Sequence, residues 1–239
     1  MTNPAPSDAI FVHGAGGNHK LWGDTLRFLS GSKTAFAIDL PGHPSGGISC
    51  RSVEEYAEVV FGFIAGRGLK PAVCGTSMGG AIALTLALKH PQSVSALILI
   101  GTGAKLGVIP EVIMGLREEP LRTIEKTITP LSFHALDLNL ARRAREALCL
   151  SNPPVFLNDY LACAGFDVRK SLSSISAPTL IICGESDQMT PPKWSRYLSE
   201  NIASTRGLIF VSEAGHMLPL EKPDVCGRLI QRFLSELNQ

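Results

Sequence analysis

The sequence has no long hydrophobic run: among its 239 residues, no apolar stretch approaches the roughly 18 residues that a membrane-spanning helix requires. The first residues, MTNPAPSDAIFVHG, also lack the basic start and the long apolar segment of a secretory signal peptide. We therefore expect a cytoplasmic protein that does not associate with membranes.

An excess of charge of either sign is likewise absent. The chain has 22 Lys and Arg against 21 Asp and Glu, a net charge of +1, and no run of basic residues stands out. Nucleic acids are bound through concentrated positive charge, so the sequence offers no case for such a partner. We expect a monomer or a small homo-oligomer that binds a small molecule.

Paired cysteines are missing too, since none of the six cysteines belongs to a C-x-x-C pair. Zinc sites and disulfide frameworks depend on paired or regularly spaced cysteines, so the sequence supports neither. Two of the cysteines lie inside apolar runs that resemble buried strands. The pattern predicts reduced thiols, mostly buried, at Cys50, Cys74, Cys149, Cys163, Cys183 and Cys226.

What the chain does have is an alternation of short apolar stretches with helical patterns. The stretches are continuously apolar, which indicates strands buried on both faces of a parallel sheet. Helical patterns occupy residues 21–29, 52–68, 79–90, 193–202 and 223–237. The predicted strands are AIFVHG (9–14), TAFAIDL (34–40), PAVCGT (71–76), VSALILIGT (94–102), PTLIICGESD (178–187) and GLIFVSEAGH (207–216).

The alternation stops between residues 104 and 170, where helical stretches separated by prolines replace the strands. We expect an α/β core formed by residues 1–103 and 171–239, with residues 104–170 inserted as a helical lid. Ligands of such sheets bind at the carboxyl ends of the strands. The functional residues should therefore follow the predicted strands directly.

The stretch VCGTSMGGAIAL (73–84) contains a G-x-S-x-G pattern centred on Ser77. Ser77 falls between a predicted strand and a predicted helix, the context in which a tight turn exposes a nucleophilic hydroxyl. Gly75 and Gly79 leave room for neighbouring backbone. The pattern predicts that Ser77 is a nucleophile; the alternative is a glycine-rich turn with an incidental serine.

A serine nucleophile needs a general base, and the base needs an acid that orients it. His216 follows the last predicted strand, at the same edge of the sheet as Ser77. Asp187 follows the preceding strand, and Glu185 is the alternative two residues earlier. We predict a triad of Ser77, Asp187 and His216; the alternative is that the two later residues belong to ordinary solvent-exposed loops and turns.

An acyl-transfer intermediate also requires two hydrogen-bond donors for its oxyanion. The backbone N–H of Met78, just after the nucleophile, is one candidate. The loop HGAGGN after the first strand offers the other, with Ala15 preferred and Gly16 as the alternative. His13, at the start of this loop, is interpreted as a structural residue.

Five stretches make the chain resemble the α/β-hydrolase superfamily over nearly its whole length, in particular its small carboxylesterases, enol-lactonases and C–C hydrolases. They are FVHGAGGNHKLW, AIDLPGHPSGG, VCGTSMGGAIALTLALKHP, PTLIICGESDQMTPP and FVSEAGHMLPLEKPDV. The resemblance implies a mostly parallel sheet with helices on both faces and a short helical lid. It also carries the triad onto Ser77, Asp187 and His216 and the oxyanion donors onto Ala15 and Met78. PGHPSGG departs from the family's common PGHG-x-S, so that loop is expected to be shaped differently.

The resemblance implies a serine hydrolase that cleaves esters or lactones of small to medium apolar acyl groups through an acyl-enzyme, without a metal or organic cofactor. The candidates for lining the substrate pocket are Trp22, Met114, Leu116 and Phe133, and the alternative for each is an ordinary core residue. The same triad serves hydrolases of carbon–carbon bonds in diketones, acyltransferases and perhydrolases. The fold also hosts small-molecule receptors, so these alternatives stay open here.

Overall fold

Six strands form one sheet in the computed structural model, which describes residues 8–29, 34–148 and 152–237. All neighbouring strands run parallel, in the order β2-β1-β3-β4-β5-β6. The predicted α/β fold is thereby confirmed. The strands are β1 (Ala9–Val12), β2 (Ala35–Ile38), β3 (Ala72–Thr76), β4 (Ala96–Ile100), β5 (Thr179–Gly184) and β6 (Thr205–Val211).

Helices cover both faces of this sheet. The core helices are α1 (Gly23–Leu26), α2 (Val53–Ala65), α3 (Met78–Lys89), α9 (Pro192–Asn201), α10 (Leu218–Glu221) and α11 (Pro223–Glu236). Buried residues of α2, α3 and α9 form one hydrophobic layer with the sheet, and those of α10 and α11 form the layer on the other face. This arrangement buries the strands on both sides, as their continuous apolar sequences require.

The start of α2 shows how local sequence fixes an element. The side chain of Ser52 accepts a hydrogen bond from the backbone N–H of Glu55. The carboxylate of Glu55 in turn accepts one from the backbone N–H of Arg51. This reciprocal cap satisfies donors that the first helical turn leaves without partners, and it starts the helix where the sequence predicts.

The strand order contains one topological switch. From β1 the chain moves outward to β2 and then returns to β3 on the other side of β1. The connections that follow β1 and β3 therefore leave the sheet in opposite directions and open a crevice between them. Ser77 follows β3, and the loop after residue 12 follows β1, so both lie at this crevice.

Residues between β4 and β5 leave the sheet and form a separate helical layer. Its helices are α4 (Pro110–Glu118), α5 (Pro120–Thr123), α6 (Thr129–Ser132), α7 (Leu138–Ala147) and α8 (Pro153–Gly165), with a π-turn at Ile124–Ile128. Lys105 and Asp167 form an isolated antiparallel bridge at its base. The backbone N–H of Val168 also donates to Ala104 O at 2.8 Å, so the two ends of the layer meet.

The cysteines within the described ranges, Cys50, Cys74, Cys163, Cys183 and Cys226, are free thiols, and all but Cys50 are buried. Cys149 lies outside the described residues, as do the ends of the predicted core at 1–7 and 238–239. In the same ranges, no helix combines the length and the apolar character needed to cross a membrane.

Candidate active site

The turn that carries Ser77 is strained. Ser77 has φ 52° and ψ −119°, a backbone conformation that a residue with a Cβ adopts only when the surrounding structure imposes it. Its N–H donates to Ile100 O at 3.0 Å, and its carbonyl oxygen accepts from the hydroxyl of Thr102 at 2.8 Å. Hydrogen bonds from β4 and the residues after it therefore hold the turn in place.

Glycine is required around Ser77 because backbone passes too close for any side chain. A Cβ on Gly75 would lie 2.1 Å from Gly79 O, and one on Gly79 would lie 2.2 Å from Val12 O. No real Cβ contact is that short, so either substitution would push β1, β3 and α3 apart. The two glycines predicted to relieve crowding are thus explained by contacts across the whole elbow.

Asp187 and His216 lie against each other at the ends of β5 and β6. His216 Nδ1–H donates to Asp187 Oδ2 at 2.9 Å, and both side chains are buried. Asp187 Oδ1 also accepts the backbone N–H of Met189 at 2.9 Å and of Thr190 at 2.8 Å. Since Nδ1 is engaged by the carboxylate, Nε2 is the ring nitrogen left for proton transfer.

The charged form of Asp187 is favoured although burial opposes it. Burial raises the pKa of this carboxyl, but the charge and hydrogen bond of His216 and the two donors of Thr190 outweigh that effect and lower it below its ordinary value. A carboxylate that stays ionised fixes the proton of His216 on Nδ1. This is the tautomer that a general base acting through Nε2 requires.

Ser77 and His216 line one cavity of about 80 Å³ at the crevice between β1 and β3. No hydrogen bond joins Ser77 Oγ to His216 within the described part of the chain. The wall of the cavity is mostly apolar and comes from both the core loops and the helical layer. Among the lining residues are Leu21, Leu106, Ile128, Phe133, Phe156 and Met217.

The two predicted oxyanion donors differ from their neighbours in being unengaged. The backbone N–H groups of Ala15 and Met78 have no acceptor in the described ranges. Gly16 N–H, by contrast, donates to Asp159 Oδ2 at 2.7 Å and is not free to bind a ligand. Of the two candidates in this loop, only Ala15 therefore retains a free donor.

His13 holds the start of the same loop through hydrogen bonds of its side chain. Its Nδ1–H donates to Gly14 O at 2.8 Å, and its Nε2 accepts the backbone N–H of Leu40 at 3.1 Å. Complete burial, together with the neighbouring ring of His43, lowers the pKa of His13 to about 4. The imidazole is therefore neutral at physiological pH, in one tautomer, in agreement with the structural part predicted for it.

This buried neutral histidine predicts a loss of stability in mild acid. The unfolded chain binds a proton at His13 near pH 6.5, whereas the folded protein does so only near pH 4. Stability is thus fully present above pH 6.5 and falls as the pH drops toward 4. Between pH 7 and 5 the contribution lost is about 2 kcal/mol. Urea unfolding at both pH values measures it, and a His13→Gln variant should show a pH dependence smaller by that amount; an unchanged dependence would contradict the assignment.

The residues predicted to line the pocket separate into two groups. Phe133 lies in the cavity wall. Trp22 is fully buried and packs edge-on against Phe11, with ring centroids 5.2 Å apart. Leu116 is buried against Ile124 and Ile128, which line the cavity, but it does not line the cavity itself. Met114 is 57% exposed on the outer side of α4. Apolar character in the sequence marked these three positions, but it does not tell a core or surface residue from a lining one.

Sequence reasoning missed a buried polar cluster behind the loop at residues 14–17. Asp159, on helix α8, is completely buried and accepts hydrogen bonds from Tyr56 at 2.6 Å and from His43 at 2.9 Å, besides the bond from Gly16. One signal pointed to it: a carboxylate inside the apolar helical stretch VFLNDYLACAGF needs buried partners. Those partners are distant in sequence, so the stretch alone cannot name them.

The chain is similar to known proteins over most of its length. The model of the Alpha/beta hydrolase family matches residues 9–228. The pimeloyl-[acyl-carrier protein] methyl ester esterase of Vibrio campbellii is 29% identical over 219 residues, which cover 85% of this chain and 85% of that protein.

Solved structures show the same fold. A structure described as that of a thermophilic esterase is 30% identical, with a TM-score of 0.83, and the match covers 96% of this chain and 90% of that one. The enol-lactonase from Burkholderia xenovorans LB400 has a TM-score of 0.88 over 98% of this chain and 94% of its own, at 21% identity. At that identity the second likeness supports the fold alone.

Proposed function

From the premise that this chain belongs to the alpha/beta hydrolase family, we propose that it is a serine hydrolase that cleaves carboxylic esters or lactones of small to medium acyl groups. The observation that carries the proposal is the shared cavity of Ser77 and His216, with Asp187 hydrogen-bonded to the far nitrogen of the imidazole. The names of the similar proteins, which include methyl ester and thermophilic esterases, support the same reaction.

In the proposed reaction Ser77 Oγ attacks the ester carbonyl while His216 Nε2 accepts the hydroxyl proton. Asp187 stabilises the resulting imidazolium. The backbone N–H groups of Ala15 and Met78 bind the oxyanion. Collapse of this intermediate breaks the bond to the alcohol oxygen, which takes the proton from His216. Water, deprotonated by the same histidine, then releases the carboxylic acid and restores the free Ser77 hydroxyl.

We assign residues 104–170 to a lid and the remainder to the catalytic core. The helical layer contributes Phe133, Phe156 and Ile128 to the cavity wall, above the crevice that contains Ser77. Apolar groups at this position exclude water from the reacting carbonyl, which strengthens the hydrogen bonds to the oxyanion. The boundaries of the lid lie where the bridge of Lys105 with Asp167 closes its base.

The size of the cavity predicts a preference for short acyl chains. A cavity of about 80 Å³ with a mostly apolar wall leaves little room beside Ser77, which favours a short acyl chain. Across p-nitrophenyl esters from acetate to dodecanoate, we expect kcat/KM to be highest near butyrate and to fall at least about 10-fold for the longest chain.

Matched variants distinguish cavity size from general damage. Phe133→Leu makes a wall side chain smaller and so enlarges the cavity, which should shift the optimum of kcat/KM toward longer acyl chains. Met114→Ala, on the exposed side of α4, should leave the chain-length profile unchanged. Methyl pimelate belongs in the same panel because of the relatives' activity. A flat profile that both variants leave unaltered would contradict the assignment of this cavity to the acyl group.

Labelling of Ser77 by a fluorophosphonate without turnover of any ester would redirect the proposal to carbon–carbon bond hydrolysis or to a receptor.

A further inference from the structure

The loop that carries the proposed oxyanion donor is attached to the helical layer at three consecutive residues. Gly16 N–H donates to Asp159 Oδ2 at 2.7 Å. Gly17 forms an isolated antiparallel bridge with Leu148. The side chain of Asn18 donates to Glu146 O at 3.0 Å. The contacts come from α8, from the residue after α7 and from α7 itself, so the helical layer is built into the support of this loop.

Helix α8 contacts Gly16 in two ways that reinforce each other. Gly16 has φ 64°, and a Cβ there would lie 2.3 Å from the ring of Phe156. Phe156 and Asp159 are three residues apart, so they project from one side of the helix. The ring limits the approach of the loop, while the carboxylate draws the Gly16 N–H toward α8. Together they fix the orientation of the peptide that follows Ala15.

The carboxylate is itself held rigidly by charge. Both nitrogens of His43 face acceptors, Pro41 O at 3.1 Å and Asp159 Oδ2 at 2.9 Å, an arrangement that satisfies both nitrogens when the ring is an imidazolium. Burial lowers the pKa of His43, but the hydrogen bond and negative charge of Asp159 outweigh it and raise the pKa above its ordinary value. Tyr56 donates to the other carboxylate oxygen at 2.6 Å. The interaction with His43 therefore holds the same oxygen, Oδ2, that Gly16 contacts.

We propose that Asp159 is a positioning residue of the active site: from the lid helix it holds Gly16 N–H and thereby directs the neighbouring Ala15 N–H at the oxyanion. The inference rests on the proposed function for its effect on rate, but the hydrogen bond itself does not. It also assigns the helical layer a second function beyond covering the cavity. In this proposal the lid supports the oxyanion hole through the hydrogen bond between Asp159 and Gly16.

Removal of the acceptor tests this on kinetics. Asp159→Ala should lower kcat for p-nitrophenyl butyrate by about 10- to 100-fold with KM changed by less than about threefold, since the donor is misaligned rather than lost. Binding of a boronic acid whose adduct places an oxygen in the oxyanion hole should weaken by a similar factor. Asp159→Asn should restore most of kcat, because its carbonyl oxygen still accepts from Gly16 when its amide faces Tyr56.

Tyr56→Phe is the matched control. It removes a hydrogen bond from the same buried carboxylate, but at Oδ1 rather than at the oxygen that Gly16 contacts. Its kcat should stay within about twofold of wild type. Equal losses of kcat in Tyr56→Phe and Asp159→Ala, or a loss confined to KM, would show that the cluster only stabilises the fold and would overturn the inference.

Nuclear magnetic resonance of the wild-type protein gives a readout that needs neither activity nor a variant that folds. The Gly16 amide proton should resonate downfield and exchange slowly, as a short hydrogen bond to a carboxylate requires; exchange at the rate of an open loop would overturn the inference. In a folded Asp159→Ala variant the Gly16 and Ala15 amides should both shift. If wild type cleaves no ester and Ser77 is unlabelled, the proposed function fails, and the amide measurements alone decide the inference.

Discussion

Replacement of Ser77 by alanine is expected to lower kcat/KM for p-nitrophenyl butyrate at least about 10⁴-fold, because the covalent step loses its nucleophile. The residual rate should be that of binding and oxyanion stabilisation alone. Thermal unfolding should hardly change, since alanine occupies the same strained conformation as serine. Steady-state kinetics measure the loss of kcat/KM. Mass spectrometry after treatment with a fluorophosphonate should show that the Ser77→Ala variant is no longer labelled.

Ser173→Ala, at an exposed serine in the short helix Leu172–Ser174, is the matched control and should keep full activity and labelling. Activity that survives in Ser77→Ala would leave Ser77 as part of a glycine-rich turn. Labelling at another serine would move the nucleophile elsewhere. Either result would refute the proposed mechanism, whatever the substrate.

Replacement of Asp187 by asparagine is the second large effect that we expect, with a fall in kcat of about 10⁴-fold and a small change in KM. Asparagine fits the same space, but its amide can donate to His216 Nδ1 and so place the imidazole proton on Nε2. The base then faces Ser77 with the wrong nitrogen protonated. The pH dependence of kcat, together with the imidazole proton resonances, distinguishes this tautomer change from unfolding.

The control for this prediction is Glu185→Gln, because Glu185 is the other acid that the sequence offers after β5. Glu185 is exposed, whereas Asp187 is buried against His216. The Glu185→Gln variant should match wild type in kcat. A loss in Glu185→Gln with activity retained in Asp187→Asn would reverse the assignment of the acid.

Ionisation of Asp187 also stabilises the fold. A carboxyl that is buried in its neutral form would instead have a raised pKa and would destabilise the fold on ionisation. The pKa of Asp187 is lowered in the folded protein relative to its ordinary value of 3.8. The stabilisation is therefore present above that value and disappears as the pH falls through the folded pKa. Its loss comes at lower pH than the loss from His13, whose contribution disappears between pH 6.5 and 4.

The sequence alone determined the class of fold and the positions of the proposed triad. Continuous apolar strands separated by helices require a parallel sheet covered on both faces, and parallel strands place their carboxyl ends at one edge. Ser77, Asp187 and His216 each follow a strand, so chain order alone places them at that edge. The G-x-S-x-G spacing marks the elbow because neighbouring backbone lies too close to Gly75 and Gly79 to leave room for a Cβ at either position.

Only the tertiary structure decided which residues surround that edge. Trp22 and Leu116 are as apolar as Phe133, yet they do not line the cavity, because a side chain's direction depends on how helices dock rather than on residue type. Asp159 contacts Gly16, which lies 143 positions away in the sequence. Local sequence determines elements through short-range spacing, whereas a buried polar cluster is assembled from distant segments only when the chain folds.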